Sequence, residues 1–308
     1  MEGELDDARV RLAAFAHLDG LDPGHDTVLA SKDLRQGFAL AGQRIQLLGQ
    51  QGIFKPRQLD FPLSIRTKAS LPGQMRPYED RIGEDSLLRY RYRRRHGVPA
   101  LDHGDNHGLR EAMRGSLPLV YFYGVEEGWY LAARPVYIVG DDRASETFTV
   151  AVEADESLAS DVLAMPDDIR RRYVTREVWQ RQHQRAFRHR VLRAYNVSCT
   201  MCRLRRRELL EAAHIVPDSH PEGEPLISNG LSLCKLHHAA FDNNIIGIRP
   251  DRVVEVRRDV LHDADGPMLL HGLQELHRQP LQVLPRAYQN RPDAKFLEER
   301  YQLFRAAS

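Results

Sequence analysis

No stretch of the 308-residue sequence stays apolar for the roughly 20 residues that a membrane-spanning helix needs. The opening residues, MEGELDDARVRLAAFAHLDG, lack the basic start and apolar run of a secretory signal and read instead as a short amphipathic helix with an acidic first turn. No membrane partner is therefore expected, and a bacterial cytoplasmic location is. Cysteine is scarce: three residues, an odd number, argue against a disulfide framework. There is no internal repeat and no low-complexity tract. The length alone then points to two globular domains, each able to bury a core.

Net charge is also nearly absent, at +1, and by itself excludes no partner. Its distribution is more telling. Residues 170–207 hold 13 Arg against one acidic residue, Glu177, while residues 1–169 carry a net of −7 and residues 208–308 a net of −4. Arg forks onto phosphate oxygens, so phosphate binding is a natural use for this block, with Arg185 and Arg188 as candidates. A solvated helix face is the plain alternative.

From about Val28 to Val152 short runs rich in β-branched and aromatic residues alternate with Gly, Asp and Pro signals: GQRIQLL, LLRYRYR, LPLVYFYGV, GWYLAARPVYIVG and TFTVAVE. One helix is expected around NHGLREAMRG. The stretch ADESLASDVLAMPDDIRRR, small, acidic and broken by proline, reads as a joint. Beyond it, REVWQRQHQRAFRHRVLRAYN places Trp179, Ala186, Phe187, Val191, Ala194 and Tyr195 at helical spacing. The tail is expected to hold a small strand pair within 261–285 and a last helix from about Pro292. The domain expectation is a β-rich recognition domain over 1–160, a linker over 161–175 and a second domain over 176–308, an α+β chain overall.

The cysteines gain meaning from their spacing. Cys199 and Cys202 form C-x-x-C, and, after 31 intervening residues, Cys234 with His237 forms C-x-x-H. Two tight turns that each aim two donors at one point are what tetrahedral zinc requires, and such a closed four-ligand site holds structure and does no chemistry. A redox pair and buried inert thiols are the alternatives. His237 is thereby accounted for, but its neighbour is not. His214 closes an apolar run that reads as a strand, Asn229 precedes a second strand, GLSLC, and His238 and Asp242 lie four apart on one helix face. A neutral imidazole can take a proton from water near neutral pH, and a divalent ion on nitrogen and oxygen ligands can stabilise charge on a phosphodiester under attack.

The combination C-x-x-C…LEAAHIVP…NGLSLCKLHHAAFD resembles the HNH endonucleases, whose site is a β-β-α unit gripping a single metal. The resemblance covers residues 176–245. It implies that His214 is the general base, that Asn229 ties the two arms of the motif together, and that His238 and Asp242 hold a catalytic Mg²⁺ or Mn²⁺. Many family members carry Asp or His immediately before the base histidine. This chain has Ala213 there, with Glu211 as a candidate substitute.

The first region pairs aromatics with a dense Arg cluster, Arg89, Arg91, Arg93, Arg94 and Arg95. Aromatic rings can sandwich an extruded base while guanidinium groups hold the flanking phosphates; sheet packing of Tyr78, Tyr90 and Tyr92 is the simpler use. The segment YEDR from Tyr78, the tyrosine 12 residues later at Tyr90 and the segment DNHGL resemble the SRA (YDG) domains, which flip and read modified cytosine. That resemblance implies a PUA-like barrel with Tyr78 and Tyr90 as the walls of a base pocket. Arg81 stands where the family's second Asp bonds the cytosine, with Asp80 beside it.

Together these readings give an expected modification-dependent restriction endonuclease: structural zinc, a catalytic Mg²⁺ or Mn²⁺, duplex DNA carrying modified cytosine as substrate, and a homodimer on DNA, since each HNH site cuts one strand. A non-specific or repair nuclease and a catalytically dead DNA-binding protein are the competing expectations.

Overall fold

The structure, a computed structural model, describes residues 6–24, 27–69, 81–83, 85–94, 100–153, 165–217, 220 and 225–307. The chain forms two compact units, Met1–Ala186 and Phe187–Ser308, and the division falls inside one long helix.

The first unit opens with α1 (Asp7–Leu21), whose N-cap Asp6 accepts a hydrogen bond from the Arg9 amide at 2.6 Å. Val10, Ala14 and Leu18, four apart, form its buried stripe. Then come β1 (Leu29–Ala30), α2 (Ser31–Gln36), a hairpin of β2 (Phe38–Leu40) and β3 (Gln43–Ile45), β4 (Ile53–Phe54), β5 (Ser64–Thr67), β6 (Arg81–Ile82) and β7 (Leu88–Arg91). After α3 (Gly104–Arg114) follow β8 (Leu119–Glu126), β9 (Trp129–Asp142) and β10 (Thr147–Val152).

The main sheet runs β4-β5-β8-β9-β10-β7-β6, with β1 paired onto β9 and only β5–β8 parallel. It is a curled half-barrel, and among the described residues its two end strands do not pair with each other. Its central strand explains the aromatic run of the sequence. Along β8, Leu119, Tyr121, Tyr123 and Val125 enter one core with Tyr90, Phe148 and Trp179, while Val120 and Phe122 enter another with Val10, Leu18 and Leu34. A strand covered on both faces has no need of polar alternation.

The long helix α4 (Asp167–Ala194) starts earlier than the sequence reading placed it. PDDIRRR, read there as part of the joint, is helical from Asp167; the acidic pair Asp167 and Asp168 directly after Pro166 is a helix-start signal that outweighed the proline. The remainder of that stretch, residues 154–164, lies outside the described residues.

In the second unit, β11 (Leu210–His214) and β12 (Gly230–Cys234) pair antiparallel, with His214 opposite Gly230, and α5 (Lys235–Asp242) follows at once. β13 (Ile246–Ile248) and β14 (Val254–Val256) form a second pair, followed by α6 (Arg258–His262), α7 (Pro267–Gly272) and α8 (Ala294–Ala306). The strand pair therefore precedes the segment in which it was expected. GPMLLHG has Pro267 at the first helical position, where a missing N–H costs nothing, and forms α7 instead. Among the described residues no helix is long and apolar enough to cross a membrane.

Candidate functional site

The cysteine spacing closes on itself. Cys199, Cys202, Cys234 and His237 bring their ligand atoms within 4.8 Å of one another, and among the described residues no other group of three or more such side chains does so. His237 Nδ1 lies 3.3 Å from Cys199 Sγ and 3.2 Å from Cys234 Sγ, and the Cys202 and Cys234 sulfurs are 3.9 Å apart. A tetrahedron with Zn–S near 2.3 Å has edges of about 3.8 Å, so the donors fit that ion in type, number and spacing.

The first knuckle is a tight turn held by the Arg203 amide donating to Cys199 O at 3.0 Å, with Arg203 at φ 61°. The second is the start of α5. His237 is buried, and its Nε2 lies 2.8 Å from Gly272 O, which fixes the ring with Nδ1 toward the sulfurs. Burial presses this ring toward neutrality, but the Cys199 and Cys234 sulfurs outweigh it and raise it to about 10. Such a donor set attracts a cation.

His238, one residue on, points elsewhere. Its Nδ1 is 2.6 Å from Glu211 Oε2 and its Nε2 is 3.3 Å from Asp242 Oδ2, so two carboxylates bracket one half-buried ring. The helical i, i+4 spacing brings Asp242 there, and the hairpin brings Glu211. Ala213 faces the buried core, so the residue before His214 offers no ligand. His214 stacks on Phe187 with ring centroids 3.9 Å apart and planes 8° from parallel, which sets its orientation. His214, His238 and Asp242 line one cleft of about 520 Å³, together with Asn244 and the buried Arg300 from α8. Arg300 donates to Asn244 Oδ1 and Phe241 O, closing the end of α5, and its guanidinium lies over the Phe241 ring. His238 and Asp242 supply two N,O donors on an open cleft, a set that suits a hydrated Mg²⁺ or Mn²⁺ better than a caged ion.

Asn229 is fully buried and never reaches the cleft. Its Oδ1 accepts from Val216 N at 2.9 Å and its Nδ2 donates to Val216 O at 3.0 Å, while Ile215 N donates to Asn229 O at 3.0 Å. It thus clamps the chain leaving β11 to the chain entering β12. Asn229→Ala would leave both Val216 backbone groups buried and unpartnered, and is expected to lower unfolding stability by about 1–3 kcal/mol; an unchanged urea midpoint contradicts this. Gly230, beside it, allows a close approach: a Cβ there would sit 2.5 Å from Val191 and 2.9 Å from Phe187.

The DNA-contact candidates are more dispersed. Tyr78 and Asp80 lie outside the described residues, and of Arg81 only the backbone pairing with Arg89 is described. Tyr90 and Tyr92 are buried in the sheet core; Tyr90 donates to Arg66 O at 3.4 Å and Tyr92 bonds Asp141. Arg91 is exposed, whereas Arg93 is paired with Asp105 and Arg94 with Glu146. Gln51, Gly52, Arg66, Lys68, Tyr90 and Arg91 border a cavity of about 320 Å³. Asn106, in the segment DNHGL, is buried and bonds both backbone groups of Arg93, which pins the cavity's rim. Arg185 is half-buried on α4. Arg188 donates to Leu210 O at 2.8 Å and Arg207 O at 3.2 Å.

Sequence reasoning missed Phe187 as a ring support, because it counted as one more apolar position of a helix. It missed Arg300 because nothing local joins that residue to His238.

Residues 199–249 match the HNH endonuclease family. No curated protein matches the chain. Among solved structures, a modification dependent TagI restriction endonuclease aligns at 16% identity over 78% of this chain and 80% of that one, with a TM-score of 0.26. The chain therefore carries an HNH endonuclease domain at residues 199–249.

Proposed function

We propose that the chain is a metal-dependent DNA endonuclease of the modification-dependent restriction type. Residues 1–160 would form a recognition domain of the SRA/PUA-like class, and residues 176–308 the cutting domain. The observation that carries the nuclease reading is one cleft receiving His214 from a strand and His238 with Asp242 from the following helix, while the neighbouring imidazole of His237 belongs to a closed sulfur-rich cage.

In this reading His214, held in plane by Phe187, takes the proton of the attacking water. His238 and Asp242 would hold the divalent ion, which when bound supplies Lewis-acid stabilisation of the phosphorane-like transition state and the leaving oxygen. Glu211, on the other ring nitrogen, keeps the proton on Nδ1 and orients His238, the usual task of a carboxylate behind a ligating imidazole. Cys199, Cys202, Cys234 and His237 would hold structural zinc.

Selection would fall to the first unit. Its cavity combines cationic side chains with the hydroxyl edge of Tyr90 and is large enough for a flipped base. Tyr78, Asp80 and Arg81 belong to this proposal through the SRA resemblance, with modified cytosine as the base. Two chains are proposed to act together on duplex DNA, since one HNH site cuts one strand. Parallel digestion of cytosine-modified and unmodified plasmid tests the selection: the modified plasmid is expected to be cut and the unmodified one spared. Equal cutting of both would remove the selection and leave the nuclease standing.

Ala213 favours the competing reading of an inactive DNA-binding protein, because it removes one ligand position. Plasmid nicking with Mn²⁺ that disappears in His214→Ala decides for the enzyme.

A further inference from the structure

We infer that the exposed turn Arg205–Arg207, which follows the first zinc knuckle, is the phosphate anchor of the second unit and binds the DNA backbone to one side of the cutting cleft. The inference rests on the reading of duplex DNA as substrate.

The sequence presents a single Arg-rich block, but the structure divides its second-unit part into two kinds of residue. Arg188 and Arg190 are engaged inward: Arg188 donates to the carbonyls of Leu210 and Arg207, and Arg190 to Pro225 O at 3.3 Å. Arg188 braces the approach to β11 and Arg190 the approach to β12. Arg205, Arg206 and Arg207 are exposed, and among the described residues none of them has an ion pair. Their backbone, in contrast, is fixed. Cys199 N donates to Leu204 O at 2.9 Å, Leu209 N donates to Arg206 O at 2.9 Å, and Arg188 holds Arg207 O. Three guanidinium groups thus project from a main chain tied to the zinc cage, so little backbone ordering remains to be paid on binding.

Other Arg side chains add to the positive charge beside the turn: the buried His189 is pushed down to about 4, first by burial and then by Arg207 of the turn together with Arg193 and Arg190. An anionic polymer suits this surface better than a single anion, because three adjacent side chains on one rigid turn can meet successive phosphates.

The turn and the cleft are joined by one strand. β11 (Leu210–His214) begins just after the turn and ends at His214, so the anchor would grip the backbone to one side of the cut and leave the scissile phosphate to the cleft. Structural zinc then has a second consequence, because it holds the binding turn in place as well as the fold.

The test is equilibrium binding of the full zinc-loaded chain to a 20-base-pair duplex over a range of salt, without added divalent metal. The triple variant Arg205→Gln, Arg206→Gln, Arg207→Gln is expected to bind tens- to hundreds-fold more weakly near physiological salt. The slope of log affinity against log salt should become shallower by between two and three, at about 0.9 per lost phosphate contact. Its zinc content and melting temperature should match those of the parent. Arg188→Gln is expected to melt earlier and to keep the parent slope. A triple variant with the parent slope, on a parent that binds DNA, overturns the anchor alone; a parent that binds no duplex at any salt overturns the DNA reading beneath it.

Discussion

His237→Ala is expected to lose zinc and cooperative folding of the second unit, whereas His238→Ala keeps both and loses cutting. The two imidazoles are adjacent in sequence, yet their surroundings differ in kind. His237 is buried, faces two sulfurs with one ring nitrogen and meets a backbone carbonyl with the other. Removing it opens a four-donor cage whose zinc affinity is largely folding free energy, of order 10 kcal/mol or more in zinc-finger peptides. A loss on that scale is comparable with the whole stability of a typical domain, about 5–15 kcal/mol.

His238 stands half in solvent between Glu211 and Asp242. Its loss leaves two partly exposed carboxylates without the imidazole that bridges them, a screened effect of about 1 kcal/mol. Zinc per chain by elemental analysis, thermal unfolding and plasmid nicking, measured on both variants, separate the two roles. Matching behaviour of the two variants contradicts the assignment.

His214→Ala is expected to reduce nicking by about 10²- to 10⁴-fold at saturating Mn²⁺, with zinc content unchanged. That range corresponds to about 3–5 kcal/mol of barrier. The residue does not touch the cage, and its ring leans on Phe187 at the cleft wall, so the loss falls on proton transfer and not on folding. Phe187→Leu supplies the complementary comparison. It keeps the base but loosens its plane, and a smaller fall in rate is expected. Single-turnover nicking rates check both; a His214→Ala rate within threefold of the parent contradicts the general-base role.

Much of the second unit was legible because its signals are local. Ligands three apart demand tight turns, His238 and Asp242 four apart demand one helix face, and the apolar run ending at His214 demands a strand. Each of these is fixed by a few consecutive residues. What escaped notice depends on contacts made across the fold. Arg300 reaches the cleft from a helix 58 residues beyond Asp242, and no spacing rule connects them. Glu211 was noted as a substitute for the ligand missing at Ala213, but its bond to the far ring nitrogen of His238 required the hairpin to be seen.

The first unit was less legible, and the reason lies in its chemistry. Tyr90 and Tyr92 carry the same side chain whether they stack on a base or fill a sheet, and both are packed in the core. Arg93 and Arg94 read as free cations until Asp105 and Glu146, distant in sequence, are found beside them. Asn106 could be suspected from the segment DNHGL, but its place inside the first turn of α3 and its grip on both backbone groups of Arg93 could not. Strand composition reports burial, and here burial and base recognition call for the same residues.

The central claim is that adjacent histidines serve two different ions. Anomalous diffraction from one crystal of the zinc-loaded chain soaked in Mn²⁺, recorded at the zinc and manganese edges, tests it most directly. The account predicts a zinc peak enclosed by the sulfurs of Cys199, Cys202 and Cys234 with His237, and a separate manganese peak against His238 and Asp242. A single peak shared by both histidines, or manganese bound away from His238, would contradict it.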